Sequence, residues 1–226
     1  MPGPANIQSY FADRADPQAV VEANTTISAL PLCPEIRLRL LKEDAPLRQT
    51  ATAGLFADTG PRPYWAFCWA SGQALARYLL DHPHAVRGRR ILDFGSGSGI
   101  AAIAAAKAGA ASVTALEVDP LGRTAIALNA RLNRIAITIS DSNLPDVASQ
   151  AWDVLVAGDV CYLAQNYQCL RRLADEGREV LLADPGRPGL EPGRLEELAR
   201  FALRTIPELE DPDLKEAAVY RFRGPG

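Results

Sequence analysis

The chain has 226 residues and a mass of 24.3 kDa, the size of one large domain or of one domain with an appended arm. Apolar residues make up 48% and charged residues 23%, so the chain can bury a sizeable core and is too weakly charged for a disordered protein. The 24 basic and 27 acidic residues leave a formal net charge of −3. This balance argues against a protein held on nucleic acid or on an anionic membrane by a basic surface.

The cysteines and the first residues of the chain bear on its compartment. The four cysteines lack CxxC spacing and have apolar neighbours, so we expect buried free thiols in a reducing compartment. The first residues show neither the basic and apolar regions of a signal peptide nor the acid-free composition of a mitochondrial transit peptide. No stretch approaches the apolar length of a membrane span. We therefore expect a cytoplasmic protein.

Residues 1–62 are predicted to form an arm. Asp16 followed by Pro17 has the pattern of a helix N-cap and first helical residue, and the helix should reach about residue 24. Apolar and charged residues then alternate as in a half-exposed strand, with the apolar positions at Ile36, Leu38 and Leu40.

Residues 63–226 are predicted to form the main domain. It opens with an apolar helical stripe within residues 64–81. Strand and helix patterns then alternate, with strands expected at 91–94, 112–117, 135–140, 152–157 and 179–183, and helices ending near Lys107, at 120–133 and at 162–175. This order predicts an α/β fold with a doubly wound, mostly parallel sheet, whose ligand site lies at the carboxyl ends of the strands.

The last part of the domain is predicted to contain one further helix and a terminal strand pair. The helix is expected near residues 195–200, and the two segments 201–206 and 217–222 should form the pair, which adds an antiparallel strand to the sheet.

The most informative motif is a glycine-rich loop between the first parallel strand and an alanine-rich helix. It carries Gly95, Gly97 and Gly99, with Asp93 before it and Ser96 inside it. Glycines let a ligand approach the backbone, and a helix N-terminus offers free N–H groups. The third glycine comes one place too early for a dinucleotide fingerprint, and an acid before the loop would repel a pyrophosphate but could reach an amine.

Glu117 ends the second strand, where it can accept hydrogen bonds from two ribose hydroxyls. Asp119, before Pro120, is predicted to be a helix N-cap. Asp141 follows the third strand and is a candidate for an adenine contact, with an Asx-turn as the alternative. A ligand with a ribose, a carboxylate and an ammonium group but no phosphate fits S-adenosylmethionine. At this point the sequence resembles the class I (seven-strand) methyltransferases.

A second motif follows the fourth strand, where the sequence reads Gly158-Asp159-Val160-Cys161-Tyr162. Methyltransferases that act on planar nitrogens typically have two prolines here, and this chain has none. The D-x-x-Y pattern resembles the family-16 lysine methyltransferases, and the resemblance implies that Asp159 and Tyr162 form the lysine site. The alternative for Asp159 is a cap on the following helix.

Three separated segments narrow the resemblance to the electron transfer flavoprotein β-subunit lysine methyltransferases. They are PYWAFCWASGQALARYLLDHP, VRGRRILDFGSGSG and ADPGRP, and the likeness covers roughly residues 63–188. It implies that Trp69, the glycine loop with Asp93 and Ser96, Glu117, Asp141 and Gly158 bind S-adenosylmethionine. It also implies that Asp184 and Arg187 lie at the substrate rim. A core position for Trp69 and a local ion pair between Asp184 and Arg187 remain the alternatives.

The resemblance therefore implies a protein-lysine methyltransferase that acts on the electron transfer flavoprotein β subunit. The alternatives are methylation of a ribosomal protein and a binding module without catalysis. We expect a monomer whose partner is a protein, with no nucleic acid and no membrane. The two histidines have no second cluster at metal-ligand spacing, so we assign no metal.

Overall fold

The computed structural model describes residues 16–45, 63–147, 151–202 and 216–224. Its strands form a two-stranded and a seven-stranded sheet. The small sheet contains β1 (Thr25–Ala29) and β2 (Arg37–Leu41), and the large sheet contains β3 (Arg90–Phe94), β4 (Ser112–Leu116), β5 (Thr138–Ser140), β6 (Val154–Gly158), β7 (Glu179–Asp184), β8 (Leu195–Ala202) and β9 (Glu216–Phe222). The helices are α1 (Pro17–Asn24), α2 (Ala70–Asp81), α3 (Ile100–Lys107), α4 (Pro120–Leu132), α5 (Leu144–Val147) and α6 (Ala164–Asp175).

The large sheet has the strand order β5-β4-β3-β6-β7-β9-β8. Strands β3 to β7 pair in parallel, and β9 runs antiparallel to both β7 and β8. The predicted doubly wound, mostly parallel sheet with a terminal antiparallel strand is confirmed. The order reverses at β3, so the crevice for a ligand lies beyond the carboxyl ends of β3 and β6.

Alternate residues of the central strands face two separate apolar cores. On β6, Val154 and Val156 pack with α2 and α3, whereas Leu155 and Ala157 pack with α6 on the other face. Both faces are therefore covered, which explains why the central strands read as nearly continuous apolar runs. Among the described residues, no helix combines the length and apolar character needed to cross a bilayer.

The helix starts follow the predicted capping chemistry. The Asp16 carboxylate accepts a hydrogen bond from Gln18 N at 2.9 Å, and Asp119 accepts one from Leu121 N at 2.8 Å. Each of these caps precedes a proline at the first helical position. The two side chains satisfy amide groups that a helix N-terminus leaves without partners.

The helix predicted near residues 195–200 is wrong, because these residues belong to strand β8. Leu198 is an extra residue between Glu197 and Ala199, which pair with adjacent residues of β9. This bulge reverses the inside–outside alternation, so that Leu195 packs in one core and Ala199 against the other. The resulting spacing resembles a helical one. The second strand of the predicted terminal pair is confirmed as β9. Its partner is β8, which shares only residues 201–202 with the predicted first segment, and residues 203–206 lie outside the described ones.

The arm packs onto the main domain through its described residues 16–45. Helix α1 and strand β2 both lie against α4. Asn129 of α4 is fully buried, and its side chain joins two parts of the molecule: Oδ1 accepts from Arg39 N at 2.7 Å and Nδ2 donates to Ser98 O at 2.9 Å. A single amide thus connects the arm to the glycine-rich loop. The boundary at residue 63 stays a prediction.

Asn129→Ala should destabilise the protein by about 2–4 kcal/mol, because it leaves the buried Ser98 carbonyl and the part-buried Arg39 N–H without partners. The matched control is Asn133→Ala, which removes similar bonds to the exposed backbone of Arg37 and should cost less than about 1 kcal/mol, since water replaces them. Denaturant unfolding gives both values. Equal losses for the two variants would contradict the connecting role of Asn129.

Candidate active site

Each of the five parallel strands of the large sheet ends at or next to an acidic residue. These residues are Asp93, Glu117, Asp141, Asp159 and Asp184. Because parallel strands end at one edge of the sheet, the topology brings these carboxylates to the same side of the molecule. This edge can bind a cation or a ligand rich in hydroxyl groups.

The glycine-rich loop follows β3 and has left-handed backbone at Gly95, Gly97 and Gly99, with φ of 67°, 56° and 83°. A Cβ on Gly95 would lie 2.8 Å from Cγ1 of Val160, whereas a Cβ on Gly97 would meet nothing closer than 3.9 Å. The loop therefore packs tightly against the segment after β6, while its middle leaves room for a ligand to approach the backbone.

Asp93 is buried and organises this loop from within. Its Oδ2 accepts hydrogen bonds from Ser96 Oγ at 2.6 Å and from Ala102 N at 3.1 Å. Burial raises the pKa of Asp93 to about 6, and the nearby Glu117 adds to the rise. The predicted loop residues Asp93 and Ser96 thus contact each other directly, and a cation at the loop would favour the ionised carboxylate.

Glu117 is held by two backbone amides, from Gly97 at 2.9 Å and from Asp119 at 2.9 Å. Burial raises the pKa of its carboxyl group, and the two amide bonds act against the rise. The first turn of α4 lies close by, since a Cβ on Gly122 would come within 2.7 Å of Glu117 Cγ. The position of this carboxylate therefore depends on a glycine that the sequence analysis did not single out.

Two residues on the adenine side of the expected site are open to solvent. Val118, next to Glu117, is 63% exposed, which is unusual for a valine. Asp141 is exposed after β5, and its carboxylate has no hydrogen bond to any described residue, so the structure gives no sign of the alternative Asx-turn. Val118 offers an apolar face on this side of the site, where the segment after β5 (residues 141–146, DSNLPD) contains no aromatic residue.

Asp159 follows β6 with left-handed backbone at φ 60°, a strained conformation for a residue with a side chain. Its Oδ1 accepts from both Nε and Nη2 of Arg187, at 2.9 and 2.5 Å. The alternative role as a helix cap does not hold, because α6 begins at Ala164 and its N-cap is Leu163. The structure brings two predicted site residues from neighbouring strand ends into one ion pair.

Asp184 lies behind this pair rather than in it. It is fully buried at the end of β7, and its Oδ1 accepts from the backbone amides of Gly186 and Arg187 at 2.8 and 2.7 Å. The alternative of a local ion pair with Arg187 is therefore wrong, since the guanidinium reaches Asp159 instead. Asp184 shapes the turn that carries Arg187.

Aromatic side chains line the open side of the site. Tyr162 is 48% exposed, and its ring lies 5.5 Å from that of Tyr64, which in turn lies 5.7 Å from Trp69. Trp69 is half-buried, precedes α2 and donates from Nε1 to the Tyr64 carbonyl at 2.9 Å. Tyr64 joins the two predicted residues, and the unusual density of aromatic residues from Tyr64 to Trp69 is the sequence signal for it.

Gly158, the last residue of β6, lies against α2. A Cβ there would come within 3.2 Å of Gly72 Cα and 3.3 Å of Gly72 N. This pair of glycines brings the start of α2, and with it Trp69, to the strand end that precedes Asp159. The packing explains the glycine without a ligand, and a cofactor contact for Gly158 stays a prediction.

The charge of Asp93 should lower the stability of the protein at neutral pH. The folded state raises the pKa of this carboxyl group from 3.8 to about 6, so it binds the proton more tightly than the unfolded state does, and stability is lost as pH rises through that window. Asn can accept the same hydrogen bonds without a charge. We therefore expect Asp93→Asn to melt higher than the wild type at pH 7.5, by roughly 2–4 °C for each kcal/mol, and to lose this advantage near pH 4. Thermal melts at the two pH values test this, and an advantage that is larger at pH 4 would contradict it.

Comparisons with known proteins place the chain among methyltransferases. The family model described as ribosomal protein L11 methyltransferase (PrmA) matches residues 73–176. The electron transfer flavoprotein beta subunit lysine methyltransferase of Xenopus laevis is 36% identical over 96% of this chain and 91% of its own length. The human protein of the same description is 38% identical over 92% and 83%. The ribosomal protein L11 methyltransferase of Geobacillus kaustophilus is 32% identical over 70% of this chain and 49% of its own length.

Solved structures agree with the fold. A putative methyltransferase from Streptococcus mutans has a TM-score of 0.58 and 10% identity, over 88% of this chain and 56% of that one. A putative RNA methyltransferase from Pyrococcus horikoshii has a TM-score of 0.51 and 14% identity, over 77% and 96%. At these identities the likeness shows the class I methyltransferase fold alone. The curated relatives, matched over almost the whole chain, confirm the family expected from the sequence: the protein belongs to the electron transfer flavoprotein β-subunit lysine methyltransferases.

Proposed function

We propose that the protein transfers methyl groups from S-adenosylmethionine to lysine of the electron transfer flavoprotein β subunit. The observation that carries the proposal is the contact between the two motifs. Val160, which stands between Asp159 and Tyr162, packs so closely on the glycine-rich loop that a Cβ on Gly95 would lie 2.8 Å from it. The groups proposed for the lysine and those proposed for the cofactor thus form one continuous site.

The residues present fit S-adenosylmethionine. Space beside Gly97 leaves room for the ligand at the loop backbone, and Glu117 is fixed at the end of β4, where it can accept from ribose hydroxyls. Val118 would pack against the adenine ring, and Asp141 would receive its amine. The acidic edge of the sheet favours a ligand that carries an ammonium and a sulfonium charge.

S-adenosylmethionine supplies a methyl group that is bonded to a positively charged sulfur. A neutral amine attacks the methyl carbon in line and the sulfur leaves, without a covalent enzyme intermediate. The task of the protein is to position the amine and to exclude water. The Asp159 carboxylate would accept an N–H of the lysine and direct its lone pair. Tyr162, with Tyr64 behind it, would enclose the aliphatic part of the lysine side chain.

The substrate is proposed to be a folded protein surface rather than a short peptide. Tyr162 and Leu163 expose apolar surface beside Asp159, at 48% and 43%, which suits a protein contact. The family relatives are described by their action on the electron transfer flavoprotein beta subunit. We further propose that the enzyme is a cytoplasmic monomer. We also propose that it has no nucleic-acid or membrane partner, which the net charge of −3 supports.

The glycine at position 122 should matter as much for cofactor binding as Glu117 itself. Glu117→Ala should weaken binding of S-adenosylmethionine about tenfold or more, because the ribose loses its acceptor. Gly122→Ala should do the same, since its Cβ would displace Glu117. Gly193→Ala, which meets nothing within 4 Å, is the control and should bind normally. Calorimetry measures the affinity of all three variants. Normal affinity in Gly122→Ala would show that binding of S-adenosylmethionine does not require the Glu117 carboxylate in its present position.

Incubation with S-adenosylmethionine should add mass to the β subunit in steps of about 14 Da. Asp159→Ala should lower the transfer rate by about 100-fold, because the amine is no longer oriented, while cofactor binding stays nearly intact. Mass spectrometry of intact proteins gives the readout. Modification of a ribosomal protein but not of the flavoprotein subunit would replace the proposed substrate with the alternative one.

A further inference from the structure

The ion pair between Arg187 and Asp159 is built into the fold from both sides. Asp159 has its strained backbone fixed by the bond from its N–H to the Ala183 carbonyl at 3.0 Å. Arg187 is fixed by Asp184, whose buried carboxylate holds the backbone amide of Arg187 at 2.7 Å. The two side chains meet with 11% of Asp159 and 32% of Arg187 exposed. This is a partly desolvated pair and not a surface ion pair, so its electrostatic effect is not lost to solvent screening.

A carboxylate without a positive partner would hinder methyl transfer to the lysine, although it would help to orient the amine. A lysine amine has a reference pKa of about 10.4 and attacks only when neutral. An opposite charge within about 4–6 Å stabilises the charged form of a group by about 1–3 pKa units. An unpaired Asp159 would thus retain the lysine as an unreactive ammonium ion and reduce the neutral fraction about 10- to 1000-fold.

We propose that Arg187 is a positioning residue that cancels the charge of Asp159, so that the carboxylate orients the incoming lysine without holding it as an ammonium ion. The inference rests on the proposed function, because it gives Asp159 the lysine. In the paired state the carboxylate still has lone pairs with which to accept an N–H. The positive guanidinium disfavours a second positive charge beside it, as the sulfonium of the cofactor does. The lysine therefore loses its proton more easily, and the neutral amine is the form that reacts.

Other titratable groups face the pair, and their protonation must not be confused with that of the lysine. Asp184 and Cys161 interact with the pair directly on the sheet side. Tyr167 and Tyr220 lie one step further away, beside Cys161 and Asp184 respectively, and Tyr162 follows Asp159 on the open side. Burial raises the pKa of Cys161 to about 12, so this thiol stays neutral up to pH 10. Burial also raises the pKa of Asp184, Tyr167 and Tyr220, and these groups are the same in every variant compared below. Tyr162→Phe shows whether the phenol contributes.

The test is the rate of single-turnover methyl transfer, measured from pH 6.5 to 10. The enzyme is saturated with S-adenosylmethionine and is present in excess over the recombinant β subunit. Arg187→Gln should lower the rate about tenfold or more at pH 7.5, and the difference should shrink towards pH 10. The apparent pKa of the rate profile should be higher in Arg187→Gln than in the wild type, by about one pH unit or more. Arg187→Lys, which keeps the charge, should restore most of the wild-type profile.

Four further variants separate this effect from a general loss of structure. Arg171→Gln removes the same charge from an exposed pair with Glu191 and should leave the profile unchanged. Asp159→Asn leaves Arg187 uncompensated and should move the apparent pKa down, and the double variant Asp159→Asn/Arg187→Gln should return it near the wild-type value. Tyr162→Phe should lower the rate and keep the apparent pKa. Calorimetry with S-adenosylmethionine establishes that each variant is folded.

The outcomes distinguish the inference from the proposed function. No transfer by the wild-type enzyme to any lysine of the β subunit overturns both. An active wild type with an unshifted profile in Arg187→Gln overturns the inference alone. An Arg187→Gln variant that reacts faster than the wild type at pH 7.5 also overturns it, because Arg187 would then be an obstacle that the lysine must displace.

Discussion

The site depends on the hydrogen bonds of one buried carboxylate, that of Asp93. Through one oxygen it holds the Ser96 hydroxyl inside the glycine-rich loop and the Ala102 amide inside α3. Strand, loop and helix therefore keep one relative position, and the backbone of the loop is fixed before any ligand arrives. Burial disfavours the ionised form of this carboxyl group, as its raised pKa shows, so keeping the charge costs free energy. A cationic ligand at the loop would offset that cost.

Two other acids of the sheet edge follow the same pattern. Glu117 is held by the amides of Gly97 and Asp119, and Asp184 by those of Gly186 and Arg187. Burial alone would neutralise such groups, whereas amide hydrogen bonds stabilise the charged form and fix its direction. Asp159 differs, because its partner is a full positive charge. The edge thus combines acceptors for a cationic cofactor with one carboxylate whose charge is balanced.

The arm contributes to the site although no predicted site residue lies in it. Asn129 connects Arg39 of β2 to the carbonyl of Ser98 in the glycine-rich loop. Trp65 and Phe67, which lie in the sequence between Tyr64 and Trp69 of the aromatic lining, pack in a core shared with Leu41 of β2 and Ala125 of α4. The packing of the arm therefore supports both the loop that would hold the cofactor and the aromatic wall that would enclose the lysine.

The sequence alone determined the doubly wound sheet, from the alternation of strand and helix patterns along the chain. It determined the place of the glycine loop, Glu117 and the D-x-x-Y motif at strand ends, since each depends on spacing within a short stretch. It also determined the caps at Asp16 and Asp119, which act on the next two residues. Only the tertiary structure decided that Arg187 pairs with Asp159 and that Gly122 makes room for Glu117, because these contacts join separate strand ends. The strand at Leu195–Ala202 was decided in the same way: pairing with β9 outweighed a local spacing that a bulge had made helix-like. Local patterns report what neighbours along the chain require, whereas charge pairing and close packing depend on which elements the fold places side by side.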